Sequence, residues 1–196
     1  MFAKKNNFYI SPECYLEGEK VSPIKHEYKQ GQVYAMVGAK KPHVIIANNL
    51  IRLLGNFLLD TKCIVLNSDI KVRIEEANCY YYPDVAVTCD RRDTDSTDEF
   101  ILYPSLIVEV LSNSTQAFDR GEKFADYQKI PTLKEYVLIT QNQIQVECFR
   151  LNEAGEWIEY IYKDNEELYL ASINFRCTMD DLYKKVPGLK NAAKND

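Results

Sequence analysis

Apolar and polar positions along the chain follow two different periods. In "KPHVIIANNLIRLLGNFLLD", residues 41–60, Ile46, Leu50, Leu53, Leu54 and Phe57 recur at three- and four-residue steps, which predicts an amphipathic helix. Pro42 suits its first turn, where a missing N–H costs nothing. Ahead of it, "SPIKHEYKQGQVYAMVG" arranges Tyr28, Val33, Tyr34 and Met36 around Gln30-Gly31, which predicts a hairpin with glycine supplying the turn conformation. "CIVLNSDIKVRIEE" predicts a strand, a kink at Asn67-Ser68 and more strand, and "YYYPDVAVTCD" predicts another strand. "RRDTDSTDEF" is polar and reads as a loop. "PSLIVEVLS" is the most apolar run and predicts a central strand.

Beyond it, Asp119-Arg120-Gly121-Glu122 has the form of a capping box. It predicts a helix from about 120 to 130 that ends near Pro131, because the residue before proline resists helix. "KEYVLITQNQIQVECFRL" predicts a hairpin turning at Gln141-Asn142-Gln143, and "EWIEYIYKDNEELYLASINFRC" continues in strand-like alternation. "TMDDLYKKV" predicts a short closing helix, with a frayed lysine-rich end after it. The first twenty residues read as an irregular lead-in, with "FYI" as a stretch that could pair with something. The order of elements predicts a mixed α/β domain with a central sheet and helices packed on it.

Size and composition narrow the picture. A chain of 196 residues suits one domain and buries a core without staples. No stretch has the length and apolarity of a membrane span, and no apolar block follows the basic N-terminal residues to make a secretory signal. Six cysteines without a C-x-x-C pair, and only two histidines, argue against a zinc site and predict free thiols in a reducing cytoplasm. The net charge of −5 argues against a nucleic-acid coat protein, but leaves room for an enzyme with a local basic rim or a metal-holding acid cluster.

Two acids stand out. Glu109 sits inside "IVEVL", and Asp84 follows Pro83 at the entry to an apolar run. An ionised acid in a strand core is costly unless it is paired or binds a metal. If the two strands are neighbours, the acids converge, and two carboxylates suit Mg²⁺ or Mn²⁺. Such an ion polarises a phosphate and activates water. Lys123, in the first turn of the next helix, could supply an ammonium for transition-state charge. Plainer roles stand beside these: Asp84 accepting backbone hydrogen bonds, Glu109 facing solvent on an edge strand, Lys123 pairing with Asp119.

Other candidates rank lower. Asp69 reads as a turn acceptor rather than a metal ligand, Asp119 as the helix cap, and His26 as exposed. His43 reads as a helix-start residue near the cleft rather than a general base. Tyr127, four residues after Lys123, either orients that lysine or packs. Tyr80-Tyr81-Tyr82 reads as sheet packing rather than a base-stacking platform. Arg91, Arg92, Arg120, Lys123, Lys129 and Lys134 could touch phosphates, but Asp119, Glu122 and Asp126 dilute them.

The segments "HEYKQGQVYAMVGA", "NSDIKVRI", "YYYPDVAVTCD", "YPSLIVEVLSNSTQAFDRGEKFADYQKIPTLKEYVLI" and "QVECFRL" resemble the Uma2-type endonuclease family, also catalogued as the DUF820 domain of unknown function. The family lies in the restriction-endonuclease-like PD-(D/E)xK superfamily, and the resemblance runs over about residues 22 to 183. It implies a restriction-endonuclease-like α/β fold: a central mixed β-sheet flanked by helices, with additional N- and C-terminal β-hairpins, in one domain over 1–196. It implies a metal-dependent endonuclease acting on DNA, with Mg²⁺ or Mn²⁺ and as a homodimer; the cytoplasm is expected from the cysteines, and no membrane from the lack of an apolar span. Asp84 matches the motif's first acid and Glu109 its second, the two metal ligands. The motif lysine is due two residues after Glu109, where this chain has Leu111; Lys123 matches a lysine moved to the following helix. Glu27 matches an N-terminal acid near the metal, beside the plainer reading of a strand-surface acid. The leucine at 111 and the acidic charge keep a second reading open, a nuclease-fold module that binds DNA or protein without catalysis. A third keeps the chemistry and makes structured RNA or branched DNA the substrate.

Overall fold

In the computed structural model, residues 8–189 are described. The predicted hairpin is β1 (His26–Lys29) and β2 (Gln32–Ala35), joined by Gln30 and Gly31, both at positive φ. Gly31 is needed for a second reason: the ring of Tyr9 packs where a Cβ would stand. "FYI" thus does find a partner, since the Ile10 amide also donates to the Gly31 carbonyl over 3.1 Å. The irregular lead-in is corrected by α1 (Pro12–Val21), which Ser11 caps through the Cys14 amide. Its mixed polarity hides it, because it buries chiefly Tyr15, against Tyr28 and Tyr80.

The predicted long helix is α2 (Lys41–Leu58). It buries Ile46, Leu50, Leu54 and Leu58 against a sheet, each worth about 1.5–3 kcal/mol of transfer free energy. Phe57 departs from that stripe, being exposed beside Phe175.

From β3 on, the chain passes back and forth between two sheets. β3 (Ile64–Asn67) and β6 (Val85–Thr88) lie in a six-stranded sheet, whereas β4 (Lys71–Ile74) and β5 (Cys79–Tyr81) lie in a five-stranded one. The kink at Asn67-Ser68 is the first crossing, and "YYYPDVAV" is two strands, broken at Tyr82-Pro83-Asp84 by the second. The polar "RRDTDSTDEF" contains one helical turn, α3 (Arg91–Thr94), capped by Asp90. β7 (Phe100–Ile101) returns to the five-stranded sheet, ordered β2-β1-β5-β4-β7.

The six-stranded sheet is completed by β8 (Leu106–Leu111), β9 (Glu135–Thr140), β10 (Gln145–Leu151) and β11 (Trp157–Lys163), in the order β11-β10-β9-β8-β6-β3. It is mixed, with β8 parallel to β9 and antiparallel to β6. β8 is central, as its apolar sequence predicts, and every one of its residues is buried. A two-stranded C-terminal hairpin, β12 (Glu167–Leu170) and β13 (Phe175–Thr178), and the closing helix Met179–Leu182 pack with α2 on one face of this sheet. The other face packs on the five-stranded sheet and on a helix over 116–127. The expected frayed end at 190–196 lies outside the described residues.

The expectation of free thiols is overturned for two of the six cysteines. The β3–β6 register sets Ile64 opposite Thr88, so Cys63 falls opposite Cys89, and the two form a disulfide with Cα atoms 4.0 Å apart. The pairing is cross-strand, and spacing alone could not reveal it. Cys14, Cys79, Cys148 and Cys177 are free thiols.

Candidate active site

The register of β6 against β8 sets Val85 opposite Val108. Those valines point into the α2 core, so the next pair along, Asp84 and Glu109, points to the opposite face. That is the face roofed by the helix over 116–127. The condition on which the sequence argument rested, that the two strands be neighbours, is met.

Asp84 is held from both sides. Its Oδ2 accepts from the Val110 amide at 2.7 Å, and its Oδ1 lies 2.8 Å from Nε2 of His43, in the first turn of α2. Pro83 ahead of it has no N–H to enter a ladder, which suits the point where the chain changes sheets. Glu109 is 5 % exposed. Its Oε1 lies 2.9 Å from Nζ of Lys123 and accepts a long 3.5 Å hydrogen bond from the hydroxyl of Tyr127. Glu27, from β1 of the other sheet, brings Oε1 to 2.9 Å from the same ammonium and also accepts from the Tyr82 amide. Asp119 completes the group, 3.9 Å from Nζ.

Lys123 reaches this point because the middle turn of its helix, Asp119–Lys123, is π-helical. A π turn re-aims the side chains that follow it and recurs at functional sites. Asp119 and Lys123 are both buried here. The capping-box reading is thereby corrected: the helix starts earlier, after Thr115, and Asp119 is an interior residue whose amide donates to the Thr115 carbonyl. Asp126 pins the helix to the five-stranded sheet, with Lys29 Nζ and the Tyr81 hydroxyl each 2.7 Å from its Oδ2.

The electrostatics are lopsided. Around one ammonium stand the carboxyl groups of Glu27, Glu109 and Asp119, with Asp84 next to Glu109 across the strand pair. Burial pushes the Glu109 carboxyl well above the usual range; Lys123 opposes the rise, and Asp119 and Asp84 add to it. Burial likewise raises Asp119, against the pull of Lys123. For Lys123 burial works against its charge, but the attraction of Glu109 and Glu27 outweighs it and holds the ammonium well above the ordinary lysine range. The cluster carries more negative charge than its lysine neutralises, so a proton or a cation relieves it.

Those donors are hard carboxylate oxygens, the chemistry of Mg²⁺ or Mn²⁺ rather than zinc. Among the described residues no three His, Cys, Asp or Glu side chains already stand as a metal cage. A cation would therefore be held by Asp84 and Glu109 with oxygens from water or substrate, which suits a reluctantly dehydrated ion such as Mg²⁺.

The remaining candidates separate clearly. Leu111 is buried in the core between the sheets. His43 sits at the helix start near the cleft, as expected, and its contact with Asp84 is something no local spacing reveals. Tyr127 is fully buried, and it both packs and touches Glu109. Asp69 lies on the turn between β3 and β4, paired with Lys25 and hydrogen-bonded to Asn67, apart from the cluster. His26 is corrected from exposed to half-buried, with Nδ1 2.8 Å from Glu19. Tyr80, Tyr81 and Tyr82 are buried. Arg120 is bound to Glu147, Lys129 to Asp126, and Arg92 to Asp90.

The crystal structure of "a putative nuclease belonging to DUF820" from Anabaena variabilis superposes with a TM-score of 0.73 at 13% identity, covering 89% of this chain and 97% of that one. That likeness shows the shared fold. "Uncharacterized protein slr1290" of Synechocystis sp. is 42% identical over 175 residues, 89% of this chain and 92% of the relative. "Uncharacterized protein sll1609" of the same organism is 37% identical over 145 residues, 74% of this chain and 82% of the relative. The profile of the Uma2 family, described as "Putative restriction endonuclease", matches residues 12–180, and the chain belongs to that family.

Proposed function

We propose that this protein is a metal-dependent endonuclease that hydrolyses phosphodiester bonds in DNA, acting in the cytoplasm as a homodimer with one site for each strand. One observation carries the reading: a helix-borne lysine meets the second strand acid where the usual motif lysine is replaced by Leu111. Asp84 and Glu109 would hold Mg²⁺ or Mn²⁺, which when bound polarises the scissile phosphate and lowers the pKa of a bound water. Val110 and His43 keep the Asp84 carboxylate turned towards the site. Lys123 offers its ammonium to the charge that develops on the phosphoryl oxygens. Glu27 holds that ammonium in place until substrate phosphate competes for it. No helix among the described residues is long and apolar enough to cross a membrane.

A second reading, a nuclease-fold module that binds DNA or protein without turnover, is favoured by the burial of Lys123 and its pairing with two glutamates. The experiment that separates them incubates the protein with linear duplex, branched DNA and structured RNA in Mg²⁺ and in Mn²⁺. Cleavage abolished by Asp84→Ala and by Lys123→Ala supports the nuclease. Binding without cleavage, unchanged in Asp84→Ala, supports the module. Cleavage of RNA or of junctions alone moves the substrate class and keeps the chemistry.

A further inference from the structure

β11 is a free edge of the six-stranded sheet: it pairs with β10 on one side, and no strand of the described residues pairs with the other. Such an edge presents a row of unpaired amides and carbonyls, which proteins usually blunt with proline, a bulge, inward charges or short length. β11 runs for seven residues, "WIEYIYK", without proline or glycine. It leaves Ile158, Tyr160 and Ile161 at 39%, 40% and 49% exposure, three large apolar side chains on one strand. The other strands with an unpaired side among the described residues are shorter: β2, β3, β12 and β13 have four residues each and β7 has two.

The strand is complementary to itself. In an antiparallel pairing centred on Tyr160, that tyrosine faces Tyr160 of a second copy. Ile158 faces the second copy's Tyr162, an aromatic–aliphatic pair of the kind that stabilises sheets. Trp157 faces the second copy's Lys163, within reach of a cation–π contact. Glu159 lies diagonal to the second copy's Lys163, close enough for opposite charges to meet, and the two-fold repeats the pair. Within the described residues neither Glu159 nor Lys163 makes a close ion pair, although the Glu159 carboxylate acts at longer range on Arg120, which is itself bound to Glu147. The Arg150 guanidinium lies 4.5 Å from the centre of the Tyr160 ring and holds that side chain in place.

We propose that β11 is a self-association edge at which a second copy of this chain extends the sheet across a two-fold axis. The axis runs through Tyr160, perpendicular to the sheet, so corresponding faces of the two copies lie on the same side. Trp157 shares its face with Phe149 and Phe124, under the helix that carries Lys123. Both acid clusters therefore lie on one side of the joined sheet. The pairing supplies the interface of the homodimer proposed above and rests on that part of the reading, but it is tested apart from cleavage and holds whether or not the cluster cleaves DNA.

The test is sedimentation velocity on the whole protein from about 1 to 100 μM, with near-ultraviolet circular dichroism to check each variant's fold. The expected result is a dimer that Glu159→Lys and Lys163→Glu each weaken about tenfold or more, and that the double reversal E159K/K163E restores. Ile161→Lys, at an exposed position, is expected to give folded monomer. Wild-type monomer across the whole range overturns the proposal. So does a dimer indifferent to both single reversals, and so does open-ended assembly in place of a closed dimer.

Discussion

Oε1 of Glu109 lies 2.9 Å from Nζ of Lys123, a strand acid meeting a helix lysine inside the protein. Removing one partner of a buried pair leaves the other uncompensated, at a cost of about 3–5 kcal/mol. Lys123→Met is therefore expected to lose cleavage and to lose about 3 kcal/mol of stability in urea unfolding. Leu111→Lys should not rescue it, because residue 111 is buried in the core between the sheets. An unchanged unfolding midpoint in Lys123→Met would show that the ammonium is not held as described.

Metal binding should report on the two strand acids together. Isothermal calorimetry with Mg²⁺ or Mn²⁺ is expected to give heat with the wild type and none with the folded double variant Asp84→Ala, Glu109→Ala. Equal binding by both proteins would remove the two acids from the metal site.

His43 fixes one oxygen of Asp84. Groups that hydrogen-bond a ligating side chain typically contribute 10- to 100-fold to metal affinity. His43→Ala should weaken Mn²⁺ binding by about tenfold, and His43→Gln, which keeps a donor, should recover part of it. Failure of glutamine to improve on alanine would leave His43 a packing residue.

Asp126 predicts a pH dependence with a definite sign. Burial raises its pKa, but hydrogen bonds from Lys29, Tyr81 and Lys129 outweigh burial and lower it overall. Between the lowered folded value and the ordinary unfolded value near 3.9, the unfolded chain binds the extra proton. The stability Asp126 contributes is thus fully present above about pH 4 and is lost as pH falls through the folded value. Asp126→Asn should flatten the acid limb of the stability–pH curve, measured by urea unfolding from pH 7 downward. A limb of unchanged slope would contradict the assignment.

The Cys63–Cys89 bridge closes a loop of sequence separation 26, for which chain-entropy arguments give about 3 kcal/mol. Cys63→Ser with Cys89→Ser should lower stability by about that amount, and a reductant should lower the wild type equally. A reductant without effect on the wild-type unfolding midpoint would count against the bridge.

Local pattern carried much of this molecule. The stripe of Ile46, Leu50 and Leu54, the Gln30-Gly31 turn and the apolar run around Glu109 each determine an element through forces acting within a few residues. The acid in that run was visible for the same reason, since a charge among Ile, Val and Leu is costly unless something pays for it. Chain order offered Lys123, in the helix that follows that strand, and the family resemblance matched it to the displaced lysine; Glu27 came from the resemblance alone. What local pattern could not decide was any relation set by register or by the meeting of sheets. The alignment of Asp84 with Glu109, the bridge between Cys63 and Cys89, the hold of His43 on Asp84 and the arrival of Glu27 from the second sheet depend on strands and helices far apart in the chain. The capping-box reading of Asp119 failed for a related reason: its sequence suits a helix end, but the helix continues through a π turn that buries Asp119 beside Lys123. Near neighbours along the chain set the elements, and packing between the two sheets set the site.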